Sequence, residues 1–231
     1  MKLMSFNTQH CLNYLDGVVD YEIMAKAIID TGADIVGLNE MFDEGKNSKY
    51  GKQTEKLARL SGLKNFYFAK AINDAEGDYG NGILSKYKIV KAETVIIPDP
   101  SPKRVKGGFY ETRCILKATL ENGYTVLVTH FGLCIDEQEN AVKELLNHIT
   151  DKKCILMGDF NITPDKEILK PLTDSFESAD KYLDGALTFP SDAPRIKIDY
   201  IFANDKVKIL SARVPEIVAS DHRPIVAEIE F

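Results

Sequence analysis

The apolar segments of this chain are short, and many of them stop at a polar residue able to do chemistry. The longest runs, such as Cys154 to Met157, hold only a few residues, so none can cross a membrane as a helix. They alternate with segments of helical period. That alternation restricts the fold to layers, because a sheet face or a helix stripe is buried only against another element. No long break interrupts the pattern, which predicts one domain over residues 1–231.

Several elements carry their own punctuation. Lys2 to Phe6 reads as a first strand. Tyr21 to Thr31 reads as a helix with Asp20 as its cap and Gly32 as its stop, and Ile23, Met24, Ala27 and Ile28 form its stripe. Asp34 to Leu38 is a buried strand ending at Asn39-Glu40, and Gln53 to Leu60 a second helix. Lys64 to Ala69 and Gly82 to Ile97 supply strands, the latter broken by a turn at Ser85-Lys86-Tyr87. Phe109 to Leu120 and Tyr124 to His130 form a hairpin closed by Glu121-Asn122-Gly123. Asp136 to Ile149 is a helix, with Asp136 and Glu139 as a capping box. Thr163-Pro164 opens a short helix. Ile198 to Ala203, Val207 to Val214 and Ile225 to Phe231 complete the strands, and 98–108 and 180–197 are loops. The class is α/β, with packed sheets and outer helices.

Composition narrows the function. Lys plus Arg is 29 against 35 Asp plus Glu, a net charge of −6, so the surface as a whole is not built to attract a polyanion. A local basic rim remains available in Lys103, Arg104 and Lys106. The four cysteines show no Cys-x-x-Cys spacing and read as reduced, buried thiols, not zinc ligands or disulfides. The N-terminus does not resemble a signal peptide, and the expectation is a cytoplasmic protein with no membrane span and no obligate protein partner.

The chemistry sits at strand ends. Asn7, Glu40, His130, Asp159 with Asn161, Asp199, and Ser220-Asp221-His222 all fall at or beside strand termini. Taken singly, Asp159 or Asn161 is a turn residue, Glu40 a solvated acid and His130 a strand histidine. Together they form an oxygen-rich set suited to a hard cation and phosphoester hydrolysis. Zinc is disfavoured because no His-x-x-x-His or cysteine cluster exists. A serine triad is disfavoured because there is no Gly-x-Ser-x-Gly elbow and Ser220 directly adjoins Asp221 and His222.

Seven stretches resemble, in order, the endonuclease/exonuclease/phosphatase superfamily. They are Ser5-Phe6-Asn7-Thr8, Gly37-Leu38-Asn39-Glu40, Gly80-Asn81-Gly82-Ile83-Leu84-Ser85, Thr129-His130-Phe131, Gly158-Asp159-Phe160-Asn161, Ile198-Asp199-Tyr200-Ile201 and Ser220-Asp221-His222-Arg223-Pro224. The resemblance implies a four-layer α/β/β/α sandwich of two packed mixed sheets. It implies a Mg²⁺ or Mn²⁺ cofactor held by Glu40 with Asn7 and Asp221. It also implies that Asp159 activates water, Asn161 holds a phosphate oxygen, and His222, oriented by Asp199, stabilises the transition state. His130 would contact phosphate or the leaving group. Asn81, in one of these stretches, and Phe189 are candidate substrate contacts. Arg113 lies outside the matched stretches and reads either as a phosphate binder or as a surface partner of Glu111.

Two departures bear on substrate. Asn39 stands where the family commonly has Gln, and Phe42 where the deoxyribonuclease branch has an arginine for the minor groove. The Thr188-Phe189-Pro190-Ser191 loop is similar to small bacterial members. The expected function is metal-dependent hydrolysis of a phosphate ester of phosphodiesterase or nuclease type, the substrate being a phosphoester with nucleic acid among the candidates. The alternatives are a small-molecule or lipid-headgroup phosphoesterase and, more remotely, a non-catalytic module of the same fold.

Overall fold

Side chains along the first strand point alternately into two different cores, and that decides the architecture. In β1 (Lys2–Asn7), Leu3 packs between two sheets, whereas Met4 and Phe6 pack outward under helices. The computed structural model describes residues 1–45, 50–150 and 152–231. The strands that follow are β2 (Leu12–Asn13), β3 (Val18–Val19), β4 (Ile35–Gly45), β5 (Asn65–Asn73), β6 (Gly77–Ser85), β7 (Ile89–Ile96) and β8 (Cys114–Leu120). After these come β9 (Thr125–His130), β10 (Cys154–Asp159), β11 (Glu177–Ser178), β12 (Asp199–Ala203), β13 (Ile209–Arg213) and β14 (Ile225–Ile229). The helices are α1 (Tyr21–Thr31), α2 (Gln53–Ser61), α3 (Ile135–His148) and α4 (Lys170–Ser175).

Among the described residues the strands form two six-stranded sheets, in the orders β13-β14-β1-β4-β6-β5 and β11-β12-β10-β9-β8-β7, and β2 pairs with β3 in a small third. Each has a parallel pair near its middle, β1 with β4 and β9 with β10, and α1 and α3 lie between the members of these pairs in the chain. The inner core joins Leu3, Ile35, Ile83 and Ile225 of the first sheet to Leu116, Val126, Val128, Ile155, Met157 and Ile201 of the second. The sheets approach closely at Gly37, where a Cβ would come within 2.6 Å of Met157 Sδ. Outside the first sheet, Val36 and Leu38 meet Met24 and Ile28 of α1 and Leu57 of α2. Outside the second, Leu127, Leu156 and Phe202 meet Val142 and Leu145 of α3. This is the α/β/β/α sandwich expected from the sequence.

Helix α1 keeps its predicted bounds. The Asp20 carboxylate accepts from the Ile23 N–H at 3.0 Å, and Gly32 leaves in the left-handed region at φ +67°. Other boundaries move. Helix α3 is capped by Glu137, which accepts from the Cys134 N–H at 3.1 Å, and not by Asp136 with Glu139. Asp136 instead accepts the Arg104 N–H and the Tyr110 hydroxyl, tying the 98–108 loop to the start of α3. Strand β8 begins at Cys114 and not at Phe109, because the Glu111 N–H is taken by the Glu137 side chain and not by a strand ladder. Thr163-Pro164 makes a turn closed by Lys166, and α4 starts later, with Pro171 in its first turn. All four cysteines are free and buried. Among the described residues no helix is long and apolar enough to cross a membrane.

Candidate active site

The carboxyl ends of the parallel strands point to one end of the sandwich, so β1, β4, β9 and β10 deliver Asn7, Glu40, His130 and Asp159 to a common edge. Parallel sheets place ligand sites at this edge. Strand β12 runs antiparallel to β10, and its first residue, Asp199, sits opposite Asp159. The 220–222 segment reaches the same edge just ahead of β14. A cavity of about 520 Å³ opens there, lined by Glu40, Arg113, His130, Asp159, Asn161, Phe189, Asp221 and His222, among others.

Glu40 reaches the cavity because the β4–β6 register shifts between Leu38 and Met41. The resulting bulge holds Glu40 at φ +58°, a strained conformation for a residue with a Cβ. Strand β4 then continues to Gly45, so the strand predicted to end at Asn39-Glu40 bulges there instead. Asn39 has turned inward and is fully buried. Its Oδ1 accepts the Asp159 N–H at 3.0 Å, and its Nδ2 donates to Asn81 Oδ1 at 2.8 Å and to the Thr129 carbonyl at 2.9 Å. One short amide therefore ties the first sheet to β9 and β10. Within the second sheet, Gly158 lets β10 lie tight against β9, since a Cβ there would meet the Thr129 carbonyl oxygen at 1.8 Å.

Asp159 is the focus of the polar network. Its Oδ1 accepts the Asn161 N–H at 2.9 Å, and its Oδ2 accepts Asn7 Nδ2 at 3.0 Å. His130 Nε2 and His222 Nε2 lie 3.5 and 3.6 Å from the same Oδ2. Burial pushes the carboxyl up to about 7 and Asp199 adds to this, while His222 and the donors from Asn161 and Asn7 oppose it. Burial alone would lower His222, but Asp199, bonded to its Nδ1 at 2.9 Å, and Asp159 outweigh that and hold it at about 10. His130 is pushed well below its ordinary range by burial and by the positive charges of Arg113, His222 and His10.

The predicted residues divide into cavity groups and supports. Glu40 and Asp221 offer hard carboxylate oxygens, and Asp221 is pushed up by burial and by Glu40, with His222 opposing. This donor set fits a divalent cation. Asn7 does not offer its oxygen: Oδ1 accepts from Gln9, while Nδ2 bridges Glu40 and Asp159, each at 3.0 Å. As placed, its amide spaces the two carboxylates. Asn81 does not line the cavity, because its amide is spent on Asn39 and the Cys114 carbonyl. Arg113 lines the cavity but is buried, ion-paired with Glu111 and hydrogen-bonded to His130 Nδ1 at 2.9 Å each, and so is no surface ion pair. Phe189 packs on the His222 ring at 4.8 Å. Its loop is latched to the 220–223 segment by Ser191, whose N–H donates to the Asp221 carbonyl and whose carbonyl accepts from Arg223.

Asp159, Asp199 and His222 also bring ligand-type atoms within 4.8 Å of one another, close enough to hold an ion. Within the trio, His222 Nδ1 is hydrogen-bonded to Asp199 at 2.9 Å. The sequence reading missed His10, whose Nε2 lies 3.6 Å from Glu40 Oε2. It sits in an irregular turn at φ +58° with no motif around it. Phe42 packs beside His10 at 5.2 Å and Tyr79 at 5.3 Å, forming an aromatic wall where an arginine was absent.

The family profile for the Endonuclease/Exonuclease/phosphatase family matches residues 4–222. The chain belongs to this family. Its members are hydrolases that act on phosphate esters. The fold is shared with an endonuclease/exonuclease/phosphatase from Beutenbergia cavernae, at 21% identity and TM-score 0.82, covering 100% of this chain and 71% of that one. A family member from Bacteroides vulgatus has 20% identity and TM-score 0.76, covering 100% and 98%. A mannosyl-6-phosphatase from Bacteroides thetaiotaomicron has 15% identity and TM-score 0.77, covering 100% of both chains. No curated protein matches the chain in sequence.

Proposed function

We propose that this family member is a Mg²⁺- or Mn²⁺-dependent phosphoesterase that attacks phosphorus with a water activated by Asp159. The observation that carries the reading is Asp159 itself, buried at the cavity floor with a histidine on each side and Asn7 linking it to Glu40. Glu40 and Asp221 would hold the cation, which when bound neutralises phosphoryl charge and orients the ester. Asp159, lifted toward neutrality by burial, is suited to take a proton from water near neutral pH. The His222 imidazolium, fixed by Asp199, offers charge and a proton to the phosphoryl oxygens. Asn161 lines the cavity where it can meet a phosphoryl oxygen.

A small phosphoester is favoured over nucleic acid. Arg104 of the basic loop is paired with Glu139, Lys103 lies 4.5 Å over the Tyr110 ring, and the Tyr110 hydroxyl is held by Asp136. These groups are engaged and poorly placed to follow a phosphate backbone. The mannosyl-6-phosphatase relative fits the same preference. Cytoplasmic placement and action without an obligate protein partner remain part of the proposal.

The test is hydrolysis of p-nitrophenyl phosphate and bis-p-nitrophenyl phosphate, beside plasmid and single-stranded DNA, with Mg²⁺, Mn²⁺ or EDTA. Turnover of the small esters should require metal and fall at least about a hundredfold in Asp159→Asn. Metal-dependent DNA cleavage lost in the same variant would make this a nuclease. Turnover that survives EDTA would overturn the metal assignment.

A further inference from the structure

We infer that Arg113 is a positioning residue that fixes His130 as the neutral tautomer protonated on Nε2, so that this proton faces Asp159 and the cavity. A guanidinium has only donors. Arg113 Nη1 lies 2.9 Å from His130 Nδ1, so Nδ1 must accept and carries no proton. The single proton of the neutral ring is then on Nε2.

The surroundings of Nε2 say where that proton goes. Asn161 Nδ2, 3.1 Å away, gives one proton to the Phe131 carbonyl at 3.0 Å and is a second donor competing for the ring's one acceptor lone pair; the charged guanidinium at the shorter distance takes it at Nδ1. Asp159 Oδ2, 3.5 Å from Nε2, is the carboxylate on hand to accept that proton. Arg113 is itself anchored by Glu111 at 2.9 Å, and Arg113 and His130 are both buried. The order Glu111, Arg113, His130, Asp159 is a relay of alternating charge and dipole that ends on the proposed base.

The charged and titratable groups facing His130 come from every side: Arg113 ahead of β8, Asp159 at the end of β10, His222 ahead of β14 and His10 after β1. Three of these are cations or can become cations. His130 is therefore a hydrogen-bond donor that neither takes up a proton nor serves as a cationic acid. In a phosphoesterase this gives a fixed donor toward Asp159 or an incoming phosphoryl oxygen, beside the cationic donor His222. Arg113 acts through His130 and is not spent on substrate phosphate.

The test is ¹⁵N-histidine NMR on the full chain, reading long-range couplings to both ring nitrogens, with His130→Gln assigning the signal. Wild-type His130 should show the Nε2–H pattern and stay neutral through mildly acidic and neutral pH. Arg113→Met should release it to a mixture of tautomers or to protonation, and Arg113→Lys, which keeps a donor, should restore the pattern. Because Arg113→Met strands the Glu111 carboxylate, the double variant Arg113→Met/Glu111→Gln is measured beside it. Nδ1–H in the wild type, or an unchanged Nε2–H pattern in both Met variants, overturns the proposal.

The kinetic arm rests on the phosphoesterase reading, whereas the spectra do not. kcat for p-nitrophenyl phosphate should fall about tenfold or more in Arg113→Met with little change in KM, the usual scale for a group that orients a functional imidazole. A rise in KM with kcat and tautomer unchanged would make Arg113 a substrate-binding group instead. If no phosphate ester turns over in the wild type, the functional reading fails and the spectra alone decide the role of Arg113.

Discussion

His130 and His222 stand at nearly the same distance from one carboxylate oxygen, 3.5 and 3.6 Å from Asp159 Oδ2, yet they are driven to opposite charge states. Both are buried. The difference lies behind the rings: His130 Nδ1 meets the guanidinium of Arg113, whereas His222 Nδ1 meets the carboxylate of Asp199. One ring is held neutral and the other is lifted to about 10. The comparison teaches that the far nitrogen of a buried histidine sets what its near nitrogen can do.

The largest break in this symmetry should come from His222→Ala, which removes the cationic donor. We expect a loss in kcat of about a hundredfold or more with the fold intact by circular dichroism; near-wild-type turnover would remove His222 from the mechanism. Asp199→Asn keeps the ring but takes away the charge behind it, and should cost between about tenfold and a hundredfold. If it costs nothing, the carboxylate is merely structural. Glu40→Gln tests the metal side of the same cavity. It should raise the Mg²⁺ concentration needed for half-maximal activity, and an unchanged metal dependence would reassign the ligand. His130→Gln retains an N–H donor near the Nε2 position and should lose only about tenfold. A loss equal to that of His222→Ala would erase the distinction between the two rings. The smallest effect belongs to Phe189→Leu, which loosens packing on the His222 ring. A change of about threefold is expected in kcat.

The same contrast shows how much of the site was legible beforehand. Asp199 behind His222 was readable because both lie in stretches that resemble family motifs. Arg113 behind His130 was not, because it falls outside any such stretch and its partner depends on how β8 lies beside β9. Asn81 is the reverse case. It sits inside a recognisable stretch, yet its amide is consumed by Asn39 and the Cys114 carbonyl beneath the cavity. The substitution of Asn for the family's usual Gln at position 39 could be seen in the chain. Its role as a tie between the two sheets could not.

Local sequence determined the elements. Asp20 and Gly32 bound α1 because a cap and a left-handed stop act within a few residues. The alternation in β1, β9 and β10 assigned side chains to the inner and outer cores because the strand period is two. The order of Asn7, Glu40, His130, Asp159, Asp199 and His222 at strand ends marked out the edge where chemistry would gather. Tertiary structure decided the rest. The bulge that turns Glu40 into the cavity, the arrival of His10 beside it and the guanidinium behind His130 all depend on contacts between segments far apart in the chain. Charge states were settled there as well, since a histidine's proton is governed by burial and by the neighbours that folding brings within hydrogen-bond reach.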